Sequence, residues 1–206
     1  MAEHSNLFND IEEEILRTEK INLILQEHNK YRSKHRSPAL QLDDEMTFKA
    51  EQWSEHSLNI GILTNKPNNE FGENLWHREN TSLNDLMMSD EMNPVKFWYD
   101  QIKFYSGYYI SHPDEYSGDF TQLVWRSSQK LGVGIGTKDK IIYVVCFYYP
   151  PGNIIGINEF DTDQIYRINV LYNKGASWNK SDRFFNDYFN IFLTTSVLIY
   201  KFHIQI

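Results

Sequence analysis

The chain has 206 residues, a single cysteine and a formal net charge of −8, from 28 Asp and Glu against 20 Lys and Arg. That length fits one globular domain with tails, since domains commonly run to ~100–200 residues. The charge argues against a nucleic-acid binder, which needs Lys and Arg clusters to release counterions from phosphates, and against adsorption to an anionic membrane by charge alone.

Residues 1–19 are polar and acidic, with Glu12, Glu13 and Glu14 in a row, and read as a frayed lead-in that turns helical near its end. They show neither a basic n-region nor an apolar h-region, so no secretory signal is read and a cytoplasmic location is expected. Position 2 is Ala, and no Cys lies near either end, so lipidation is unsupported. From Glu19 to about His35, Ile21, Ile24, Leu25, His28 and Tyr31 recur at helical steps, which predicts a helix with these residues inward. Ser37-Pro38 ends it, because the residue before Pro is pushed out of helical space. Asp43 and Asp44 offer capping oxygens to a second helix whose inner stripe is Met46, Ala50, Trp53 and Ser57, stopped by Gly61.

Residues 64–72 carry turn chemistry and lead into a short extended piece around Asn74 to His77. Helical pattern returns from about Leu83. Asn93-Pro94 then reads as a cap with Pro at the first helical position, starting a helix that turns Phe97, Trp98, Ile102 and Tyr105 inward. A loop through His112-Pro113 precedes a short helix over Phe120 to Trp125. Leu131 to Gly136 and Ile141 to Tyr149 are strand-like and joined by Thr137 to Lys140, a hairpin pattern. Both faces of the second strand are apolar, so it is expected to be central and covered by helices on each side. Residues 177–206 hold an aromatic and aliphatic run broken by Asn186, Asp187 and Asn190. Its uninterrupted part, Ile191 to Tyr200, is far shorter than the ~20 residues a membrane-spanning helix needs. Packing on the domain, disorder, peripheral membrane contact and a partner-binding strand or helix all stay open for this tail.

Four blocks occur in a familiar order: His28-Asn-Lys-Tyr-Arg32, Phe71-Gly-Glu-Asn-Leu-Trp76, Gly118-Asp-Phe-Thr-Gln-Leu-Val-Trp125, and Tyr143 to Asn153 with its Pro-Pro-Gly-Asn end. Together they resemble the superfamily of cysteine-rich secretory proteins, antigen 5 and pathogenesis-related 1 proteins, called CAP. The resemblance covers about residues 20–169, a CAP domain between a lead-in (1–19) and a tail (170–206). It implies an α+β fold, a three-layer α-β-α sandwich around a central antiparallel sheet. The single Cys146 and the missing signal resemble the intracellular, disulfide-free branch of Golgi-associated plant pathogenesis-related proteins and signal-less venom allergen-like proteins.

Many CAP proteins line a cleft with two His, which bind zinc-like metals, and two Glu. Carried over residue by residue, those positions are Asn65, Glu73, Gln101 and Asp119, so only Glu73 keeps the family's residue type. Asn and Gln do not titrate near neutral pH and are poor ligands for a borderline-soft metal, so no metal site and no cofactor are expected there. Glu73 and Asp119 could hold a hard cation, share a proton, or, for Glu73, fix the Gly-Glu-Asn backbone as an acceptor. His56 and His112 are the histidines that could enter the cleft as substitutes. His28 reads as a hydrogen-bonded core residue, Cys146 as a buried thiol, and Ser127 and Ser128 as loop or cap donors.

The resemblance implies a non-enzymatic binding protein with no catalytic residues, whose ligand is a lipid, a sterol or a protein. The alternative is an intracellular scaffold that dimerises through the cleft face. A hydrolase is disfavoured because it leans on the lost His and Glu cluster. Tyr148, Tyr149, Pro150 and Pro151 are the expected exposed recognition surface.

Overall fold

The computed structural model describes residues 2–105 and 117–171, and the side chains from Phe8 onward. The tail beyond residue 171 and the loop bearing His112 lie outside the described residues, and so do the expectations attached to them.

Helix α1 runs from Ala2 to Lys34. It therefore starts where a frayed lead-in was expected, and side-chain pairing supports the stretch around Arg17. Arg17 meets Glu13 at 2.9 Å, one helical turn back, and its guanidinium donates to the carbonyl of Ile135. Farther along, Ile21, Ile24, His28 and Tyr31 are buried as the spacing requires. Strand β1 is only Gln41–Leu42. Helix α2 (Asp44–Ile60) opens on Asp43, whose carboxylate accepts from the Met46 N–H, and closes on Gly61 at φ 72°, where a side chain would be strained. Its buried stripe is Met46, Ala50, Ser54 and Ser57. Trp53 stands only half-buried, because its indole N–H turns out to the Thr64 carbonyl at 2.8 Å.

Strand β2 (Gly72–Glu79) follows. The helix expected from Leu83 is instead a series of turns, with Met87 at φ 68°, although Leu83 and Leu86 are buried. Helix α3 (Pro94–Tyr99) is capped by Asn93 as expected and tightens into a 3-10 turn over Asp100–Phe104. Trp98 and Tyr105 face inward, but Phe97 is exposed, and Val95 takes the inner position. Helix α4 (Gly118–Val124) buries Phe120 through Val124. Strands β3 (Lys130–Lys138) and β4 (Ile141–Tyr149) form an antiparallel hairpin. Its turn is Asp139-Lys140, both at positive φ, which suits the twist of a two-residue hairpin. Helix α5 (Glu159–Asn169) starts at the Asn158 cap.

The sheet order is β1-β3-β4-β2. It is antiparallel except for the two-residue β1–β3 pairing, which is parallel. As its apolar faces predict, β4 is interior to the sheet. Strand alternation sends Val145 and Phe147 to one face, with Met46 and Ala50 of α2. Val144, Cys146 and Tyr148 go to the other, with residues of α1, α3 and α4. These are the three layers. On the α2 face, β3 carries Gly132, Gly134 and Gly136. A Cβ at Gly132 or Gly134 would collide with the backbone of Met46 or Ala50, so α2 lies directly on bare strand.

Candidate functional site

The first residues of β2 organise the cleft. Glu73 is half-buried and its carboxylate accepts three amide donors: Asn65 Nδ2 at 2.6 Å, Asn69 Nδ2 at 2.7 Å and the Lys66 N–H at 3.0 Å. The 62–71 loop therefore folds around this carboxylate, with the Trp53–Thr64 bond holding the loop to α2. Burial pushes the Glu73 carboxyl above its usual range, and the donors pull it back.

Asp119, in the first turn of α4, forms a two-bond ring with Gln101 in the turn after α3. Gln101 Nε2 donates to Asp119 Oδ2 at 2.6 Å, and the Asp119 N–H donates to Gln101 Oε1 at 3.2 Å. Burial lifts the Asp119 carboxyl to about 6, against the opposing hydrogen bond from Gln101. This carboxyl titrates close to neutrality.

The four predicted cleft residues thus form two carboxylate–carboxamide pairs, Asn65–Glu73 and Gln101–Asp119. Among the described residues no hydrogen bond joins one pair to the other. Their separation has a plain origin. Glu73 lies opposite Phe147 and Asn74 opposite Cys146, so the two point to opposite faces of the sheet. Asn74 Nδ2 donates to the Asp119 carbonyl at 2.9 Å and so belongs to the α4 side. A proton shared between Glu73 and Asp119 is not formed.

The metal implied by the resemblance does not fit this arrangement. Each carboxylate already accepts amide donors, carboxamides stand where imidazoles would be, and no three His, Cys, Asp or Glu side chains converge among the described residues. His56, a possible substitute, is exposed and stacks on Trp53 with centroids 5.0 Å apart.

Beneath the cleft lies a buried polar frame. His28 is fully buried. Its Nδ1 lies 2.7 Å from the Ile24 carbonyl and so carries the proton, leaving Nε2 to accept from the Tyr148 hydroxyl at 2.8 Å. Burial holds the imidazole down to about 4. Tyr148 therefore cannot belong to an exposed recognition surface: its hydroxyl is committed to His28 and its ring to the core. Tyr149 is 45 % exposed, and Pro150 and Pro151 are half-buried. Arg32, with no exposed surface, donates to the carbonyls of Pro38, Leu123, Trp125 and Ser128 at 2.8 to 2.9 Å. Gln122 accepts from the Gly152 N–H at 2.8 Å, and Ser128 Oγ donates to the Pro150 carbonyl at 2.8 Å. Cys146 is buried, and its thiol is pushed far up by burial.

Two features were missed in the sequence. His35 is buried, with Nδ1 at 2.9 Å from the Leu171 carbonyl and Nε2 at 3.1 Å from the Tyr99 hydroxyl; it lies one helical turn beyond Tyr31 on the stripe already identified. Past the Pro-Pro turn, Ile154, Ile155, Ile157 and Phe160 are all exposed, Ile157 at 99 %. The Ile-Ile-Gly-Ile run, lacking strand or helix periodicity, was their signal.

An α-β-α domain with this signature helix and these paired carboxylates at β2 and α4 defines a class of protein. A family model, that of the Cysteine-rich secretory protein family (CAP), matches residues 25–149. The chain belongs to that family. It is 33% identical over 147 residues to the human "Golgi-associated plant pathogenesis-related protein 1", covering 68% of this chain and 88% of that one. A "Probable pathogenesis-related protein" of Candida albicans is 28% identical over 159 residues, covering 75% and 70%. Among solved structures, BmVAL-1 superposes with TM-score 0.51 at 18% identity, over 66% of this chain and 79% of that one, a likeness of fold.

Proposed function

We propose that this chain is a non-enzymatic binding protein that takes a hydrophobic small molecule of the sterol or fatty-acid class. The observation that carries the reading is the self-pairing of the cleft. Both carboxylates are already occupied by carboxamides, and the described cleft offers no nucleophile held by a base, so binding rather than bond-making fits its chemistry. Family membership supports the ligand class, since CAP proteins commonly bind lipids or sterols apart from the metal cleft. A cytoplasmic location belongs to the same reading: Cys146 stands alone, and no described helix is long and apolar enough to cross a membrane.

Native mass spectrometry of the chain mixed with sterols, fatty acids and phospholipids tests the reading. One retained lipid per chain is expected, and an apo mass throughout would overturn it. The second reading, two copies joined through the cleft face, draws on Phe97 and Phe104, exposed on either side of Gln101 in the chain. Sedimentation across a concentration series, run on the native chain and on a Phe97→Ser, Phe104→Ser variant, separates the two: a mass that rises with concentration in the native chain and not in the variant supports the second reading, and a constant monomer mass overturns it.

A further inference from the structure

The first turns of α1 are built inside out. Glu13, Leu16, Arg17 and Lys20 lie on one face, spaced three and four residues apart, and that face is turned to the protein. Arg17 donates to the Ile135 carbonyl, Thr137 Oγ1 lies 3.5 Å from Glu13, Leu16 packs on the core, and buried Lys20 donates to the Asn84 carbonyl at 3.2 Å. The Arg17 and Glu13 contacts fall on the stretch of β3 beyond Leu131, which the two-residue β1 does not pair. The reverse face of the same turns carries Phe8, Ile11 and Ile15 at i, i+3 and i+7, exposed at 68, 48 and 64 %. Helices that pack only on their own domain turn the apolar stripe inward. Here the stripe points to solvent.

The charges beside the stripe say what could cover it. Glu12 and Glu19 flank one side and Glu14 the other, all exposed. Arg17, the one Lys or Arg between Phe8 and Glu19, is held on the inner face by Glu13 at 2.9 Å, with Glu14 at 4.0 Å. A second copy of this helix would bring like-charged rims together, and an anionic lipid surface would meet the same carboxylates. We infer that Phe8, Ile11 and Ile15 form a docking stripe for an amphipathic helix of another protein, one whose apolar seam is flanked by Lys or Arg. The mode is helix-on-helix recognition, with apolar anchors giving contact and the carboxylate rim giving partner choice. Three anchors make a small interface, well below about 1,200 Å², so the complex is weak, reversible and sensitive to salt. The stripe is separate from the cleft, and the inference stands whether or not the cleft binds lipid.

The test uses the full chain and two labelled helical peptides of about four heptads with the same Leu and Ile seam, one flanked by Lys and one by Glu. Fluorescence anisotropy is expected to give micromolar binding of the Lys-flanked peptide, at least about tenfold weaker binding of the Glu-flanked one, and loss of affinity as salt rises. The doubly substituted Ile11→Ser, Ile15→Ser chain is expected to lose binding while keeping its melting temperature, since both residues are exposed. Glu12→Lys with Glu19→Lys is expected to invert the preference. Equal binding of both peptides, no binding, or binding that survives the Ile11→Ser, Ile15→Ser change overturns the inference. So does self-association, or uptake on zwitterionic phosphatidylcholine vesicles, that disappears in that same variant.

Discussion

The cleft and the frame beneath it have fared differently in this chain. In the frame, the residues of His28-Asn-Lys-Tyr-Arg32 and of the signature block other than Asp119 match the family pattern, and the buried groups that tie elements together have specific partners: His28 with Tyr148, Arg32 with four carbonyls, Gln122 with Gly152. In the cleft, three of four positions differ from the types the resemblance implies; Gln101 and Asp119 satisfy each other, and Asn65 pairs with Glu73. A buried group cannot lose its partner without a cost of ~1–3 kcal/mol, so the frame is held in place by folding itself. Cleft residues nearer to solvent are free to change provided they change together. The family's fold is therefore kept by residues other than the four at these cleft positions.

The widest gap between the regions is expected at Arg32. Its guanidinium is buried without a carboxylate, and desolvation lowers it to about 10. Arg32→Ala strands four carbonyl contacts and opens a cavity, so a loss of about 3–5 kcal/mol in urea unfolding is expected, enough to unfold a marginal domain. A loss below 1 kcal/mol would mean that the frame is not what fixes α4. Gly134→Val comes next. It pushes α2 off β3 and should cost about 3 kcal/mol or more, read by the same denaturation, with Gly61→Ala costing about 1–2 kcal/mol, because no atom lies near its Cβ position and only the backbone strain at φ 72° remains. Tyr148→Phe removes only the hydroxyl donor to His28 and is expected to cost about 1–2 kcal/mol.

The pH response sharpens the comparison, because cleft and frame act in opposite directions. His28 has a folded value near 4, below its usual 6.5, so the unfolded chain takes up its proton first and stability is lost as pH falls from 6.5 toward 4. Asp119 has a folded value near 6, above its usual 3.8. The folded chain holds that proton more tightly, so stability is gained as pH falls from above 6 toward 4. Asp119→Asn keeps an acceptor for Gln101 and removes the buried charge. It is expected to stabilise the chain at pH 7.5 by on the order of 2 kcal/mol and to steepen its loss of stability on acidification. A urea midpoint against pH that is unchanged by Asp119→Asn would place this carboxylate in solvent.

Most of the fold could be read in the sequence, because its signals were local. Asp43, Gly61, Asn93-Pro94 and the apolar run of β4 each specify their element through nearby backbone chemistry or strand period. Readings failed where tertiary packing overrode pattern. The α1 turns before Glu19 looked frayed except near their end because Phe8, Ile11 and Ile15 do not face the core. Phe97 was assigned inward, but Val95 and Trp98, three residues apart, set the inner face of α3, and Phe97 falls off that face. Tyr148 looked like part of an aromatic surface because sequence adjacency to Tyr149 and Pro150 hides that successive strand residues face opposite ways. For the cleft, the division of Asn65, Glu73, Gln101 and Asp119 into two pairs could not be read in the sequence, since it depends on Glu73 and Asn74 facing opposite sides of β2.

The central claim, that the cleft has traded metal chemistry for internal pairing, is met most directly by calorimetric titration of the chain with zinc. The same titration is run on the Asp119→Asn variant and on a chain carrying Asn65→His, Gln101→Glu and Asp119→His. The account predicts that the native chain and Asp119→Asn give the same weak surface heats, and that the triple variant gains one tighter site. A stoichiometric site in the native chain that is lost in Asp119→Asn would contradict it.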